Sequence, residues 1–428
     1  MFKIQYTTDE DFLGRSRRPA AKTDDIIPIV RDVLAAVRDG GDKAVRELTL
    51  KFDKFCPENL LTTPEELDAA EREVPDDLKE AIDIARKNIE KFHLSQLPKC
   101  REYVETSKGV VCWQSSRAIE KVGIYIPGGT APLFSTVLML GIPARIAGCR
   151  EIVLCSPPRN GGSINPIVLY CAKILGIRKV FKIGGSQAIA AMAYGTESVP
   201  KVYKIFGPGN RFVTVAKQLV NSSETAIDMP AGPSELAVIA DKNTNPVFAA
   251  ADLLSQCEHG TDSQVGLFVT SNEKADEIIA EAERQLARLP RREIAEKSFQ
   301  NSFAVIVEST YKAVRLTDLW APEHLIISTD DCKEIADYVH NAGSVFIGKY
   351  ACESAGDYAS GTNHTLPTNG AAYAYSGLNM DSFMKKITYQ TISEEGIRNI
   401  GPAVETMAAA EQLEAHKNAV TVRLQSNA

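Results

Sequence analysis

From residue 122 to residue 348 the chain repeats one texture. A short apolar, β-branched run is followed by glycine or proline and then by a longer stretch with helical spacing. The runs are VGIYIP (122–127), EIVLCSPP (151–158), KVFKIGG (179–185), KVYKIFGPG (201–209), LAVIAD (236–241), QVGLFVTS (264–271), FAVIVES (303–309), HLIIST (324–329) and SVFIG (344–348). Strands spaced by helices indicate βαβ units and largely parallel sheets. So many runs overfill one sheet, and 428 residues exceed one simple core, so two α/β units are expected. Residues 1–100 read as charged helices, as in DDIIPIVRDVLAAVRDGGDKAVRELTLKFDK, whose apolar spacing is interrupted by a Gly-Gly break. The last fifty residues turn helical again through 403–414 and end in the strand-like AVTVRL.

Charge and hydropathy remove whole classes of function. The net charge is -7 and no basic stripe is present, so nucleic-acid binding has no electrostatic support. The longest apolar runs, such as 136–143, fall far short of the roughly 20 residues a membrane helix needs. The N-terminus MFKIQYTTDEDF carries acids where a signal peptide would be apolar. A cytoplasmic enzyme with no membrane partner is expected. The nine cysteines are scattered without a CxxC pair and read as small buried thiols in a reducing compartment.

Open α/β sheets bind ligands at the carboxyl ends of their strands. KIGGSQAIAAM (182–192) is strand, Gly-Gly turn and helix, a geometry suited to phosphate at a helix N-terminus. GPGN (207–210) and PGGT (127–130) are similar turns. No GxGxxG with a downstream acid is present, and a purely structural turn fits each loop equally well.

The six histidines carry more information. In DLLSQCEHG (252–260), residues 248–259 read as a helix stopped by Gly260, with Gln256 and His259 about 60° apart on one face. Cys257 lies about 160° from His259. This favours a metal or polar-ligand site over a thiol nucleophile, against the plainer reading of a histidine at a helix C-terminus. GDYASGTNHTLPT (356–368) reads as a long polar loop carrying Asp357, Asn363 and His364, suited to a divalent metal or to an Asx-type turn. APEHL sets Glu323 beside His324 just before a strand. Strand neighbours point to opposite faces, so both can serve one site only if the chain turns there, which Pro322 favours. A near-neutral imidazole and a carboxylate able to activate water make an acid–base pair. His416 in EAHKNAVTVRL says little alone, and His93 and His340 sit in amphipathic patterns and read as structural.

The stretches GIYIPGGTAPLFSTVLML, PARIAGC, GGSQAIAAMAYGTESVPKVYKIFGPGN, AIDMPAGPSEL, DLLSQCEHGTDSQV, PEHLII, ESAGDYASGTNHTLPT and AHKNAV resemble, in this order, the histidinol dehydrogenase family. The likeness is looser over residues 1–100 and 272–318. What the resemblance implies is specific. Zinc would be held by Gln256, His259, Asp357 and His416, the last from the partner subunit of an intertwined homodimer. Glu323 and His324 would be the catalytic pair. Ser234, His364 and Glu411 would contact substrate together with His324 and the metal ligands, and Tyr125, Gln187 and Asn210 would touch NAD. The fold would be two Rossmann-like parallel-sheet domains, aldehyde-dehydrogenase-like, with small helical terminal segments. Its divisions would be an N-terminal segment 1–22, a first α/β domain of 23–124 plus 236–377, an inserted second domain 125–235, and a dimer-swapped segment 378–428. The activity would be zinc-dependent oxidation of L-histidinol to L-histidine through bound L-histidinaldehyde with two NAD, the last step of histidine biosynthesis. Rivals are a sister dehydrogenase for another small alcohol, a zinc hydrolase, and a thiol-dependent aldehyde dehydrogenase using Cys257.

Overall fold

A computed structural model describes residues 1–19, 23–98, 100–128, 133–159, 162–229 and 232–425. The turn PGGT lies partly outside them. The repeated apolar runs become two parallel sheets. The larger has six strands in the order Phe2–Gln5, Phe303–Ile306, Gln264–Val269, Glu235–Ala240, His324–Ser328, Ser344–Ile347. Its two central strands, Glu235–Ala240 and Gln264–Val269, are buried along their whole length, as expected of a sheet covered by helices on both faces. The smaller sheet has five strands, ordered Lys179–Lys182, Glu151–Ser156, Lys121–Tyr125, Lys204–Phe206, Ala226–Ile227. Each sheet is flanked by two apolar clusters, one per face. The N-terminal residues belong to the larger sheet: Phe2–Gln5 is its edge strand, in register with Phe303–Ile306, and Phe12 is buried against Phe268 and Phe303.

Helices Ile26–Asp53, Pro64–Glu73 and Asp76–Leu94 occupy the first hundred residues. The Gly-Gly break is real. Gly41 has φ 53 inside the first of them, and a Cβ there would lie 2.4 Å from a Glu197 carboxylate oxygen. At the end of that helix the partly buried Asp53 has one oxygen without a partner, and burial pushes its carboxyl up to about 6. The ionised form is therefore the disfavoured one in the fold. Its cost is absent below about pH 4, grows through the interval, and is complete above about pH 6. Asp53→Asn is expected to stabilise the protein by about 1–2 kcal/mol at pH 7.5, discounted for partial exposure, and not at pH 4. Thermal melts at the two pH values check this.

Two elements differ from the sequence reading. An antiparallel sheet, Met384–Ile392, Val110–Ala118 and Tyr103–Ser107, has no counterpart in that reading, because its outer strands are largely exposed and its half-buried central strand lacks clean alternation. The strand-like AVTVRL instead lies within helix Glu414–Gln425. Packing overrides β-propensity here: Gly401 of helix Glu394–Ala410 makes room for Leu424 and Val420, each near 3 Å from where a Cβ would sit. No helix among the described residues is long and apolar enough to cross a membrane.

Candidate active site

The two sheets meet across one cavity of about 1270 Å³. The smaller sheet contributes the carboxyl ends of its strands, through Pro127, Gly207, Pro208, Gly209 and Asn210. The larger sheet contributes the amino ends, through Ser234 before one strand, Gln256 and His259 before the next, and Glu323 and His324 at a third. The rule that ligands sit at carboxyl ends thus holds for one sheet and is inverted for the other. Asp357 and His364 add to the larger sheet's wall, and Thr136 of helix Ser135–Ala147 to that of the smaller.

Helix Pro246–Cys257 is capped by Asn245 and ends two residues earlier than the sequence suggests. Gln256 lies in its last turn. His259 lies in the turn beyond, its N–H 3.3 Å from the Gln256 carbonyl. Both still line the cavity. Gln256 is fully buried, and neither amide atom has a hydrogen-bond partner. Cys257 points into the hydrophobic core, where burial pushes its thiol up to about 12. A thiol so placed is not ionised near neutrality and does not face the cavity. Cys257→Ala is therefore expected to keep the wild-type kcat, measured by steady-state kinetics.

The backbone does turn before His324. Ala321 is left-handed at φ 50, and the strand His324–Ser328 begins only after Glu323. The Glu323 carboxylate accepts the backbone N–H of Glu235 at 3.1 Å. His324 Nδ1 lies 3.8 Å from Glu323 Oε2 and 3.8 Å from Glu353 Oε1, and its Nε2 lies 3.5 Å from Asp357 Oδ1. Burial works to lower the His324 pKa, but Glu353, Glu323 and Asp357 outweigh it and raise the pKa, making the imidazole a stronger base. Burial raises Glu323 and Glu353, each to about 8, with His324 opposing in both cases. Burial would also raise Asp357, yet His324, His364 and His259 hold it below the ordinary carboxylate range.

Asp357 is not in a loop as the sequence suggests. It sits in the short helix Glu353–Tyr358, one turn after Glu353. The i, i+4 spacing in ESAGD therefore brings Glu353 to the same site. Sequence reasoning passed over this residue, and that spacing was the available sign. A nitrogen of His259 and one oxygen each of Glu353 and Asp357 lie within 4.8 Å of one another. With the unpartnered Gln256 amide beside them in the cavity wall, this donor set of nitrogen and oxygen atoms fits a divalent metal such as zinc.

His364 faces this cluster with a defined tautomer. Its Nδ1 lies 3.0 Å from the Asp357 carbonyl, which can only accept, so Nδ1 carries the proton. Burial lowers its pKa, and the neutral Nε2 accepts from the Thr136 hydroxyl at 3.2 Å. The loop around it is held by the neighbouring Asn363, whose amide donates to Met139 O at 2.6 Å and lies 3.4 Å from Nε2 of the buried His93.

The remaining candidates separate. Asn210 lines the cavity, and its side-chain oxygen caps helix Arg211–Asn221 by accepting from Phe212 and Val213. Tyr125 and Gln187 lie behind the lining. The Tyr125 hydroxyl accepts the Gly185 N–H at 3.0 Å, and Gln187 is buried with both amide atoms unpartnered. Glu411 and His416 are exposed on the C-terminal helices and do not line the cavity.

Two parallel sheets facing across a cleft form the fold of an aldehyde-dehydrogenase-like α/β enzyme. The acetylating aldehyde dehydrogenase of Geobacillus thermoglucosidasius superposes with a TM-score of 0.50 at 14% identity, covering 86% of this chain and 97% of its own. The histidinol dehydrogenase of Elizabethkingia anophelis superposes with a TM-score of 0.97 at 50% identity, covering 99% and 98%. The histidinol dehydrogenase of Bacteroides thetaiotaomicron is 59% identical over 98% of both chains. The chloroplastic enzyme of Arabidopsis thaliana is 51% identical over 95% of this chain and 87% of its own. The family model for histidinol dehydrogenase matches residues 16–424. The chain belongs to the histidinol dehydrogenase family.

Proposed function

We propose that the protein oxidises L-histidinol to L-histidine through L-histidinaldehyde, consuming two NAD and one water. The observation that carries this reading is the buried Glu323–His324 pair opening on the same cavity as the His259, Glu353 and Asp357 cluster. Gln256, His259 and Asp357 would hold zinc, with His416 from a second copy of the chain. When bound, zinc fixes the substrate through its imidazole and amine nitrogens, and NAD accepts one hydride in each oxidation.

The chain's own groups do the proton work. His324 takes the alcohol proton in the first oxidation. Glu323, whose basicity burial increases, takes a proton from the water that hydrates the aldehyde. His324 then takes the hydrate's proton in the second oxidation. Ser234, His364 and Glu411 contact the substrate. Asn210 contacts the cofactor from the cavity wall, with Tyr125 and Gln187 buried behind it at the carboxyl ends of the smaller sheet. Closing the reaction within one deep cavity keeps the aldehyde from escaping.

The working form is a homodimer in the cytoplasm. Helix Glu414–Gln425 has no buried residue, and Met407, Leu413 and Val422 are exposed on the same helical pair. A second copy covering this pair would bring Glu411 and His416 to its neighbour's cleft. Within each chain the two α/β domains follow the sheets: helices 26–94 pack on the smaller sheet of 121–227, and strand Phe2–Gln5 joins 235–347 in the larger, so 23–124 groups with 125–235 rather than with 236–377, and 378–428 is the terminal segment.

The test is the amount of NADH formed per L-histidinol consumed, before and after removal of metal by a chelator. Two NADH per substrate, lost on chelation and restored by zinc, is the expected result. Absence of NADH would overturn the reading.

A further inference from the structure

We propose that Arg18, from the N-terminal segment, is a positioning residue for the Glu323–His324 pair, acting through Glu235 and the turn at Trp320–Ala321. The proposal rests on the acid–base reading of that pair.

Glu235 opens a central strand of the larger sheet, and its side chain is only 2% exposed. Its carboxylate accepts from two nitrogens of Arg18, with Nη2 to Oε1 at 2.9 Å, and from the Gly370 N–H at 3.3 Å. The same Nη2 donates to the carbonyls of Trp320 and Ala321, the latter at 3.3 Å. The guanidinium lies 4.6 Å above the Trp320 ring, and the Trp320 indole N–H donates back to the Ser16 carbonyl at 3.3 Å.

These contacts converge on Glu323 from two directions. The Glu235 backbone N–H is the donor that holds Glu323 Oε2. The carbonyls gripped by Arg18 belong to the turn that leads into Glu323, including the left-handed Ala321, a conformation that persists only where its surroundings enforce it. Arg18 also pairs with a buried carboxylate whose charge acts to raise Glu323. A planar fork with five donors can serve the carboxylate and two carbonyls together, whereas a lysine supplies charge without the fork.

The experiment compares Arg18→Met and Arg18→Lys in the full chain, with Glu323→Gln in parallel. Arg18→Met is expected to lower kcat about 10²-fold, the scale of a misplaced catalytic group. KM for L-histidinol and for NAD, and bound zinc, stay at wild-type values, and added guanidinium at millimolar concentration restores part of kcat. Arg18→Lys is expected to lose about tenfold in kcat without guanidinium. Wild-type kcat in either Arg18 variant overturns the proposal, and so does a loss that tracks KM or zinc content and ignores guanidinium. If Arg18→Met does not fold, the kcat of Arg18→Lys decides. Wild-type turnover in Glu323→Gln would instead overturn the acid–base reading itself, whereas a dead Glu323→Gln beside unaffected Arg18 variants overturns the positioning role alone.

Discussion

His324→Asn is expected to lower turnover by about 10²–10⁴-fold, and Glu323→Gln by a similar factor, but the two should fail at different points. In the proposed mechanism His324 takes a proton in both oxidations and Glu323 only between them, so His324→Asn stops the first NADH as well as the second. Glu323 acts on the water that hydrates the aldehyde. Glu323→Gln should therefore form close to one NADH per L-histidinol and accumulate aldehyde. Single-turnover NADH yield separates the two variants, and equal yields would remove the division of labour. The expectation follows from the geometry. His324 lies 3.8 Å from Glu323 and Glu353 and 3.5 Å from Asp357, so three carboxylates surround the imidazole and stabilise the charge it gains with each proton. The double variant should be no worse than His324→Asn alone, because groups acting in one sequence are not additive.

The second large effect tests the proposed sharing of the site between two copies of the chain. His324→Asn and His416→Ala homodimers should each be inactive. Subunits of the two, dissociated and reassociated at random, should recover about a quarter of the wild-type sites. Half of the dimers are then mixed, and in each mixed dimer one of two sites combines an intact His324 with an intact His416 from the neighbour. If His416 served its own chain, every site would lack one group and no activity would return. The basis is positional. Glu411 and His416 are exposed and lie outside the cavity wall that Gln256, His259 and Asp357 share.

Much of the site was legible because local chemistry and local geometry agree. Gln256 and His259 sit three residues apart at a helix end, and both face the cavity even though the helix stops at Cys257, because the turn that follows keeps nearly helical spacing. The adjacency of Glu323 and His324 was readable, together with the need for a turn before the strand. The residue that makes the turn, Ala321, was not, since a left-handed alanine has no sequence signature. Glu353 was missed because Asp357 was read as part of a loop, which hid the helical spacing that pairs them.

The parallel α/β architecture is readable from apolar runs too uniform to face water on either side. So are the residue types that could hold a metal and move protons, from the sequence alone. Long-range packing is what turns the amino edge of the larger sheet to the carboxyl edge of the smaller one, points Cys257 into the core and makes AVTVRL helical. Only it brought Arg18 against Glu235 and Trp320, some 217 and 302 positions away along the chain. The physical reason is common to all of these. Periodicity and propensity act between neighbours a few residues apart, whereas strand order, cavity walls and buried ion pairs depend on which distant surfaces are pressed together once the apolar faces are buried.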